Sequence, residues 1–173
     1  DPEMSRGLGD VYKRQVYFPM YTAATQVPYA YAVGNGSMME FTNKAAFWVF
    51  NQVTNLAYTR YNVIHPDIRA KQKALETQYK AYVQMTDAAA MSIIAQDQKL
   101  AVAYLTDFSC NTGNQLVATW RDFYAYLFPR YMDGNIKTAL PGQKNPKVEN
   151  PPLPDWYLRT IINHMGDKQK VVE

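Results

Sequence analysis

The clearest hydrophobic pattern in the chain lies in residues 41–61, FTNKAAFWVFNQVTNLAYTRY. Apolar side chains recur there every three or four residues, which places them along one face of a helix. The members of this stripe are Ala46, Val49, Phe50, Val53, Leu56, Ala57 and Tyr61. Thr42 or Asn43 is expected to cap the helix start, and Phe47 and Trp48 widen the stripe, which predicts burial on two sides. We therefore expect the core to form around this helix.

A second apolar stripe predicts a much longer helix. Residues 62–66 are expected to turn the chain, because proline suits the first position of a helix and Pro66 would occupy it. The pattern then continues to about Ile94, through Ile68, Leu75, Tyr79, Tyr82, Val83, Thr86 and Ala90. Such a regular stripe would suit dimerisation, but we favour packing against the helix at 45–61.

The pattern beyond residue 96 predicts two further helices separated by a break. Residues 97–108 form the first, and Thr112 or Asn114 is expected to cap the second. Apolar residues of the second helix recur at steps of three and four, at Leu116, Trp120, Phe123, Leu127 and Tyr131. Pro129 is expected to bend or end this helix near Gly134, because proline removes a backbone donor.

The chain is expected to begin and end in non-helical structure. Residues 16–24 and 27–33 are aromatic and β-branched, and each contains a proline, which predicts short edge strands. Between them and the first helix, Gly34-Asn35-Gly36 predicts a tight turn. Residues 137–154 are rich in Pro, Lys and Asn and are expected to be extended, before a last amphipathic helix at 155–165. The fold class predicted is mainly α with a short N-terminal β segment.

Composition excludes several classes of function. The 173 residues are 47 % hydrophobic and 19 % charged, which is typical of a globular chain. Its net charge of +3 is scattered rather than clustered, so nucleic-acid binding is not expected. No apolar run approaches the ~20 residues that a membrane span requires. One cysteine and two histidines supply neither a disulfide nor a zinc set, so we expect no cofactor, and the compartment stays open.

Residues 1–15, DPEMSRGLGDVYKRQ, lack apolar periodicity. Their second part, GLGDVYKRQ, is similar to the translated sequencing-adapter tail found on truncated reading frames. We therefore predict that residues 1–15 are not part of the native fold, with a genuine N-terminal arm as the alternative. The domain organisation predicted is this tail, a folded part at 16–136, and a Pro-rich extended tail with a short helix at 137–173.

Several sequence blocks occur in an order that carries a family resemblance. They are VYFPMY at 16–21, VPYAYAVGNGS at 27–37, AAFWVFNQVTNLAYTRYN at 45–62, IRAKQKALE at 68–76, LTDFSCNTGN at 105–114 and RYMDGN at 130–135. Together they resemble the C-terminal part of the cysteine-type dipeptidases, a family of N-terminal-nucleophile hydrolases. The resemblance implies the helical part of an αββα fold and a nucleophilic cysteine at the mature N-terminus, with its α-amino group as base. That cysteine is not among these residues.

The remaining candidates for chemistry favour structural roles. Cys110 has neither His65 nor His164 near it in sequence, and a thiol needs a base or a positive field to become a nucleophile. His65 precedes Pro66 at a predicted helix start, and His164 lies in the last helix. Asp67, Asp107 and Asp133 fall at predicted helix ends, where carboxylates cap or turn. We therefore assign no catalytic residue and no metal ligand.

Asparagine side chains are the candidates for substrate binding. Amide hydrolases stabilise a developing oxyanion with backbone N–H groups and amide side chains. Asn51 and Asn55 lie one turn apart on the first helix, so both would face one cleft, and Asn35 lies in the glycine turn. Asn111 and Asn114 are further candidates, and burial with a backbone partner is the alternative for all five. The residues that we predict to bind substrate are Asn35, Asn51 and Asn55.

Three functions are compatible with these observations. The first is the C-terminal fragment of a dipeptidase, which cleaves small peptides through the N-terminal cysteine that the resemblance implies. The second is a related amide hydrolase such as an acylase. The third is a helical interaction module without chemistry that uses the stripe at 68–90, and a homo-oligomer is compatible with all three. Under the first, the chain supplies buttressing helices and is inactive alone.

Overall fold

The computed structural model describes residues 15–165 and Lys168. The chain divides into two compact units, residues 1–129 and residues 130–173. The predicted tail at 1–15 therefore lies outside the described residues, apart from Gln15. The described part is mainly helical, as predicted. Its elements are α1 (Ala46–Thr59), α2 (Tyr61–Ile94), α3 (Gln98–Tyr131), β1 (Ile136–Thr138), β2 (Lys147–Glu149) and α4 (Asp155–Met165).

The helix α1 forms where the first apolar stripe predicts it, and its stripe is the core of the first unit. The stripe members from Ala46 to Ala57 are all buried, whereas Tyr61 is half-exposed. The predicted side-chain cap is wrong, because the cap position is Ala45, which makes no such bond. Phe47 also remains exposed. One face of α1 is therefore buried, and the second face is only partly covered.

The helix α2 begins earlier than predicted. It starts at Tyr61, so the expected turn at residues 62–66 is absent and Pro66 lies inside the helix. Proline there removes the bond that its N–H would donate to the carbonyl of Asn62. Asn62 is exposed, so water can satisfy that carbonyl. The rest of the prediction holds: α2 continues to Ile94.

The helix α3 is continuous where two helices were expected. It runs from Gln98 to Tyr131, and Asp97 caps its start by accepting hydrogen bonds from the backbone N–H groups of Lys99 (2.8 Å) and Leu100 (3.1 Å). The hydroxyls of Thr106 and Ser109 donate to carbonyls one turn earlier in the same helix. These polar residues therefore do not break the helix.

Helices α2 and α3 form an antiparallel hairpin that has two distinct parts. A three-residue connection, residues 95–97, joins them. We call residues 61–80 and 106–129 the proximal half and residues 81–105 the distal half of this hairpin. The proximal half packs on α1, where the rings of Phe50 and Trp120 lie 5.5 Å apart. It contains the large fully buried side chains Ile64, Ile68, Leu116, Trp120 and Leu127.

The expected N-terminal strands are absent. Residues 16–28 contain no strand, and Tyr29–Tyr31 form a single 3₁₀ turn. Four backbone N–H groups of this region donate to side chains of α2 and α3 rather than to a neighbouring strand, as described below. The glycine turn is confirmed, since Gly34 and Gly36 have φ angles of +88° and +77°.

The second unit contains the only strands of the described residues. In the stretch expected to be extended, β1 and β2 pair antiparallel in the register Ile136↔Glu149, Lys137↔Val148 and Thr138↔Lys147. Gly142, with φ of +71°, lies in their connection. The helix α4 covers Asp155–Met165, as predicted, and none of its residues is buried.

Candidate functional site

Residues 15–32, which we call the N-terminal strap, lie across both helices of the hairpin. On α2, the side chain of Gln72 donates to the carbonyl of Gln15 at 2.7 Å. The carboxylate of Glu76 accepts from the backbone N–H of Tyr17 at 3.3 Å, and Asp87 accepts from the Tyr21 hydroxyl at 2.5 Å. From Gln15 to Tyr21 the strap therefore runs in the same direction as α2.

On α3, the strap runs out along the helix and then returns. The backbone N–H of Tyr21 donates to Ser109 Oγ at 3.1 Å, and that of Thr25 donates to Thr106 Oγ1 at 3.1 Å. After this reversal, the N–H of Ala30 donates to Asn114 Oδ1 at 3.0 Å. Three backbone donors that a sheet would have paired are thus satisfied by α3, which explains why no strand forms.

The two arms of the strap meet above Gly113. A Cβ atom on this glycine would lie 2.5 Å from Pro28 Cγ and 2.9 Å from Phe18 Cε2, so the strap approaches the α3 backbone as closely as glycine allows. The ring of Phe18 lies 5.0 Å from that of Tyr31. Since its ends meet and its own side chains pack together, the strap has the form of an Ω-loop, a class that is frequently functional.

The sequence of α3 contains a signal for its contact with the strap, but the same residues also predict a break between two helices. Thr106, Ser109, Gly113 and Asn114 follow one another at steps of three, four and one, which places small or polar side chains on one face of α3. On a continuous helix such a face permits close approach of another backbone. We predicted capping by Thr112 or Asn114 instead, because the same residue types favour helix starts.

Cys110 lies beside the strap and not beside a base. Its thiol is half-buried and lies 3.7 Å from the backbone carbonyl of Gln26, to which it donates. The position agrees with the structural role that the sequence predicts.

Three tyrosines around the strap are held as neutral phenols. Burial, followed by the hydrogen bond to Asp87 and the negative charge of that carboxylate, raises the pKa of Tyr21 to about 12. Burial also raises the pKa of Tyr31 and of Tyr79. Since all three shifts favour the protonated phenol, these groups act at neutral pH as hydrogen-bond donors and packing surfaces, not as bases.

Asn35 ties the glycine turn to the start of α1. Its side-chain amide donates to the carbonyl of Tyr29 at 3.0 Å and to the carbonyl of Lys44 at 3.2 Å. Both amide hydrogens are therefore used within the fold. Its Oδ1 is the remaining polar atom through which this side chain can contact a ligand.

Asn51 and Asn55 share one flank of α1, as their spacing predicts. The amide of Asn51 donates to the carbonyl of Phe47 at 2.6 Å, one turn earlier in the same helix. Asn55 is exposed. Asn111 is exposed as well, whereas Asn114 is committed to Ala30. Of the alternative, burial with a backbone partner, the backbone partner is present for Asn35, Asn51 and Asn114, but none of the three is fully buried.

An open surface pocket of about 470 Å³ lies between the proximal parts of α2 and α3. Its lining residues are Lys71, Thr119, Asp122, Phe123 and Tyr126. The rings of Phe123 and Tyr126 are stacked with centroids 6.2 Å apart, and Asp122 lies 3.4 Å from the guanidinium of Arg121. None of the three predicted asparagines lines this pocket. Sequence analysis missed it, because Lys71 and Asp122 lie 51 positions apart.

The histidines and aspartates are engaged in local contacts. The ring of His65 stacks on Tyr61 with centroids 4.5 Å apart. In the second unit, His164 Nδ1 lies 2.9 Å from the carbonyl of Thr160, and Asp133 lies 3.9 Å from Lys137 Nζ. Asp107 is exposed in the middle of α3 rather than at a helix end, so that prediction was wrong.

Metal binding and membrane insertion find no support in the described residues. Across residues 15–165, no three or more His, Cys, Asp or Glu side chains come together as ligands for a metal ion. Over the same residues, no helix combines the length and the apolar character needed to cross a bilayer.

No protein-family model matches the chain, and neither a curated protein sequence nor a solved structure shows significant similarity to it. The family resemblance described above therefore remains an expectation from the ordered sequence blocks. What the structure adds is where those blocks lie.

Proposed function

We propose that this chain is the C-terminal part of a cysteine-type dipeptidase of the N-terminal-nucleophile class, and that it buttresses a catalytic half encoded upstream. The observation that best supports this proposal is that three of the sequence blocks on which the resemblance rests contact one another. Blocks 16–21 and 27–37 contribute Tyr21 and Ala30, whose N–H groups are bound by Ser109 and Asn114 of block 105–114. Blocks that form one packed unit support common descent better than scattered similarities do.

In the proposed enzyme, the N-terminal cysteine attacks the peptide carbonyl carbon while its own α-amino group accepts the thiol proton. The amine of the second amino acid then leaves, and water hydrolyses the acyl-enzyme. Residues of this chain would form one wall of the cleft. Asn35 would present its Oδ1, and Asn51 and Asn55 would present amides from one flank of α1.

The chain by itself is expected to cleave no dipeptide. An acyl-enzyme route needs a nucleophile with a base in reach and donors aimed at the oxyanion. The one thiol, Cys110, donates to a backbone carbonyl instead. Removal of a nucleophile lowers the rate by about 10⁶ in a studied protease, so no turnover above buffer is expected. Dipeptide cleavage that a thiol-alkylating agent abolishes would contradict this proposal, because Cys110 would then be the nucleophile.

A chimera tests the proposal directly. Residues 16–173 would replace the corresponding C-terminal part of a cysteine-type dipeptidase, and hydrolysis of dipeptides would be compared with hydrolysis of N-acyl amides. We expect dipeptide turnover that is lost when the N-terminal cysteine is replaced by alanine. A folded chimera that cleaves only N-acyl amides would favour an acylase. A folded chimera that cleaves neither substrate would contradict the proposed family.

The cleft wall can be tested in the same chimera with a matched pair of substitutions. Asn55→Asp places a charge on the proposed wall, and Asn62→Asp places the same charge at another exposed asparagine, on α2. We expect kcat/KM to fall at least about tenfold for Asn55→Asp and to stay unchanged for Asn62→Asp. Equal effects would remove Asn55 from the proposed site.

A further inference from the structure

The distal half of the hairpin exposes large apolar side chains on both helices. Those of α2 are Tyr82, Met85, Met91 and Ile94, with exposed fractions of 40 %, 70 %, 69 % and 49 %. On α3, Leu100 is 56 % exposed. The buried residues of this half are Thr86 and Ala101. Of these, Met85 and Met91 flank the exposed side of α2 opposite the buried Thr86. A contiguous exposed apolar surface marks an interaction site more often than scattered apolar residues do.

The α2 part of this exposed surface also carries little charge. Residues 81–94 of α2 contain one charged residue, Asp87, whereas the preceding fourteen residues of the same helix contain six. Asp87 accepts the hydrogen bond from the Tyr21 hydroxyl, and at the hairpin tip Asp97 caps α3. The free surface of a helix in water normally carries charged residues, so their scarcity on α2 indicates a surface that another protein covers.

The spacing on the exposed side of α2 suits another helix. Ala81, Met85, Ala88, Ser92 and Ala95 are all exposed and follow one another at steps of four, three, four and three. This is the heptad spacing of a helix–helix seam. Met85 and the neighbouring Met91 supply apolar contact area, and the smaller members of the seam permit close approach of a second helix.

We propose that the distal half of the hairpin binds a second copy of this chain, with α2 packed antiparallel on α2 about a two-fold axis near Ala88. The low charge of this surface favours this partner. In a two-fold interface the same surface lies on both sides, so a surface of one charge sign would repel itself, whereas this one carries only Asp87, Asp97 and Lys99. Both carboxylates are already bound within the chain, so a different protein steered by complementary charge would find little to recognise. The inference is independent of the proposed enzymatic function.

The size of the surface sets the expected affinity. Fourteen residues of helix extend roughly 21 Å, and the hairpin is two helix diameters wide, about 20 Å. Such a face lies near the low end of specific interfaces. We therefore expect a reversible dimer that dissociates on dilution into the low micromolar range, rather than a permanent one.

Sedimentation equilibrium on the whole chain, over about 1–200 μM, tests the proposal. We expect a monomer–dimer equilibrium whose dissociation constant rises at least about tenfold in the double variant Met85→Glu/Met91→Glu, because the glutamates would be buried unpaired. The matched control is Met38→Glu/Met39→Glu, at methionines that are 79 % and 96 % exposed in the loop before α1. It is expected to leave the constant unchanged. Circular dichroism confirms that each variant keeps its helices.

A cross-linking experiment tests the geometry independently of affinity. In a Cys110→Ser background, Ala88→Cys places a thiol beside the proposed axis, and Ala74→Cys places one on an exposed position of the proximal half of α2. Mild oxidation is expected to link Ala88→Cys into a covalent dimer and to leave Ala74→Cys monomeric. A chain that sediments as a monomer throughout, or a dimer that is indifferent to both distal variants, would overturn the proposal and assign the surface to another occupant.

Discussion

The proximal and distal halves of the α2–α3 hairpin share their helices but differ in what they bury. The proximal half buries nine apolar side chains, whereas Ala101 is the one buried apolar residue of the distal half. The difference is one of neighbours, because α1 packs on the proximal half, as in the contact of Phe50 with Trp120. The N-terminal strap contacts the proximal half and reaches the distal half through Asp87. A regular helix therefore does not by itself indicate a local core.

Along α2, charged residues are more frequent in the half that buries more side chains. The half of α2 that contributes to the core is also the more charged, with residues such as Arg69, Lys73 and Lys80 exposed on its outer face. This is the ordinary amphipathic arrangement, in which one face is apolar and the other is solvated. The distal half instead exposes large apolar side chains to solvent. The distal surface of α2 therefore differs from an ordinary solvated helix face in carrying few charged residues.

The largest expected difference concerns one substitution made in both halves of α3. Leu116 is fully buried in the proximal half, and Leu100 is 56 % exposed in the distal half. Leu116→Ala is expected to lower the free energy of unfolding by about 3 kcal/mol, because it leaves a cavity. Leu100→Ala is expected to cost less than about 0.5 kcal/mol. Urea unfolding at low protein concentration measures both, and equal losses would refute the contrast.

A second comparison adds atoms instead of removing them. Gly113→Val places a Cβ 2.5 Å from Pro28 Cγ, where the ring cannot yield easily. We expect a loss of about 2–3 kcal/mol from overpacking. Ala103→Val is the distal control at an exposed position of the same helix, with an expected cost of a few tenths of a kcal/mol from helix propensity. If Gly113→Val lowers the free energy of unfolding no more than Ala103→Val does, the strap is not packed against α3.

A third comparison removes one hydroxyl from each half. Ser109 is fully buried and accepts from the N–H of Tyr21, so Ser109→Ala leaves that donor unpaired and is expected to cost about 1–2 kcal/mol. Ser92 is exposed and donates only to its own helix, so Ser92→Ala is expected to be neutral. Hydrogen exchange provides a second readout: the Tyr21 amide should lose protection in Ser109→Ala and keep it in Ser92→Ala.

The smallest expected effect is a pH dependence at the point where the strap meets the distal half. The pKa of Tyr21 is raised from 10.0 to about 12, chiefly by burial and then by Asp87. The folded state therefore holds the phenol proton more tightly than the unfolded state. The resulting stability is complete below pH 10 and is lost as the pH rises through 12. Tyr21→Phe should flatten the decline between pH 10 and 12, and Tyr17→Phe should not.

Phenolate absorbance gives an independent check on that tyrosine. In the wild-type chain, part of the absorbance change is expected only near pH 12, and Tyr21→Phe should remove a share of that late part. A decline in stability that is identical in all three proteins would show that Tyr21 is not responsible for it.

Much of the helical structure could be predicted because its signals are local. The stripe from Ala46 to Ala57, the extent of α2 to Ile94 and the start of α3 after Asp97 all follow from spacing and capping within a few residues. The errors arose where one residue type occurs both at helix ends and inside helices that bind another segment. One helix was expected to end at residue 108 and Asn114 was a predicted cap of the next, although Ser109 and Asn114 bind the strap from within a continuous helix.

The candidate site was less predictable than the helices. That Asn51 and Asn55 share a flank of α1 follows from their spacing, whereas the two carbonyls bound by Asn35 do not. The pocket was not predictable at all, since Lys71 and Asp122 belong to different helices and carry no pattern in common. Local periodicity determines which face a side chain occupies, but not what lies opposite that face.

Local spacing alone is enough to predict that this protein is mainly helical, where its first core stripe lies, and which part of α2 carries almost no charge. That residues 15–32 form a loop on α3 instead of strands, and that Met85, Met91 and Leu100 of the distal half stay exposed, follows only from the tertiary structure. The physical reason is that helical hydrogen bonds close within four residues, whereas the donors of an extended segment take whichever acceptor the fold brings near. Here the acceptors Ser109, Thr106 and Asn114 lie more than 80 positions along the chain from the backbone donors that they bind.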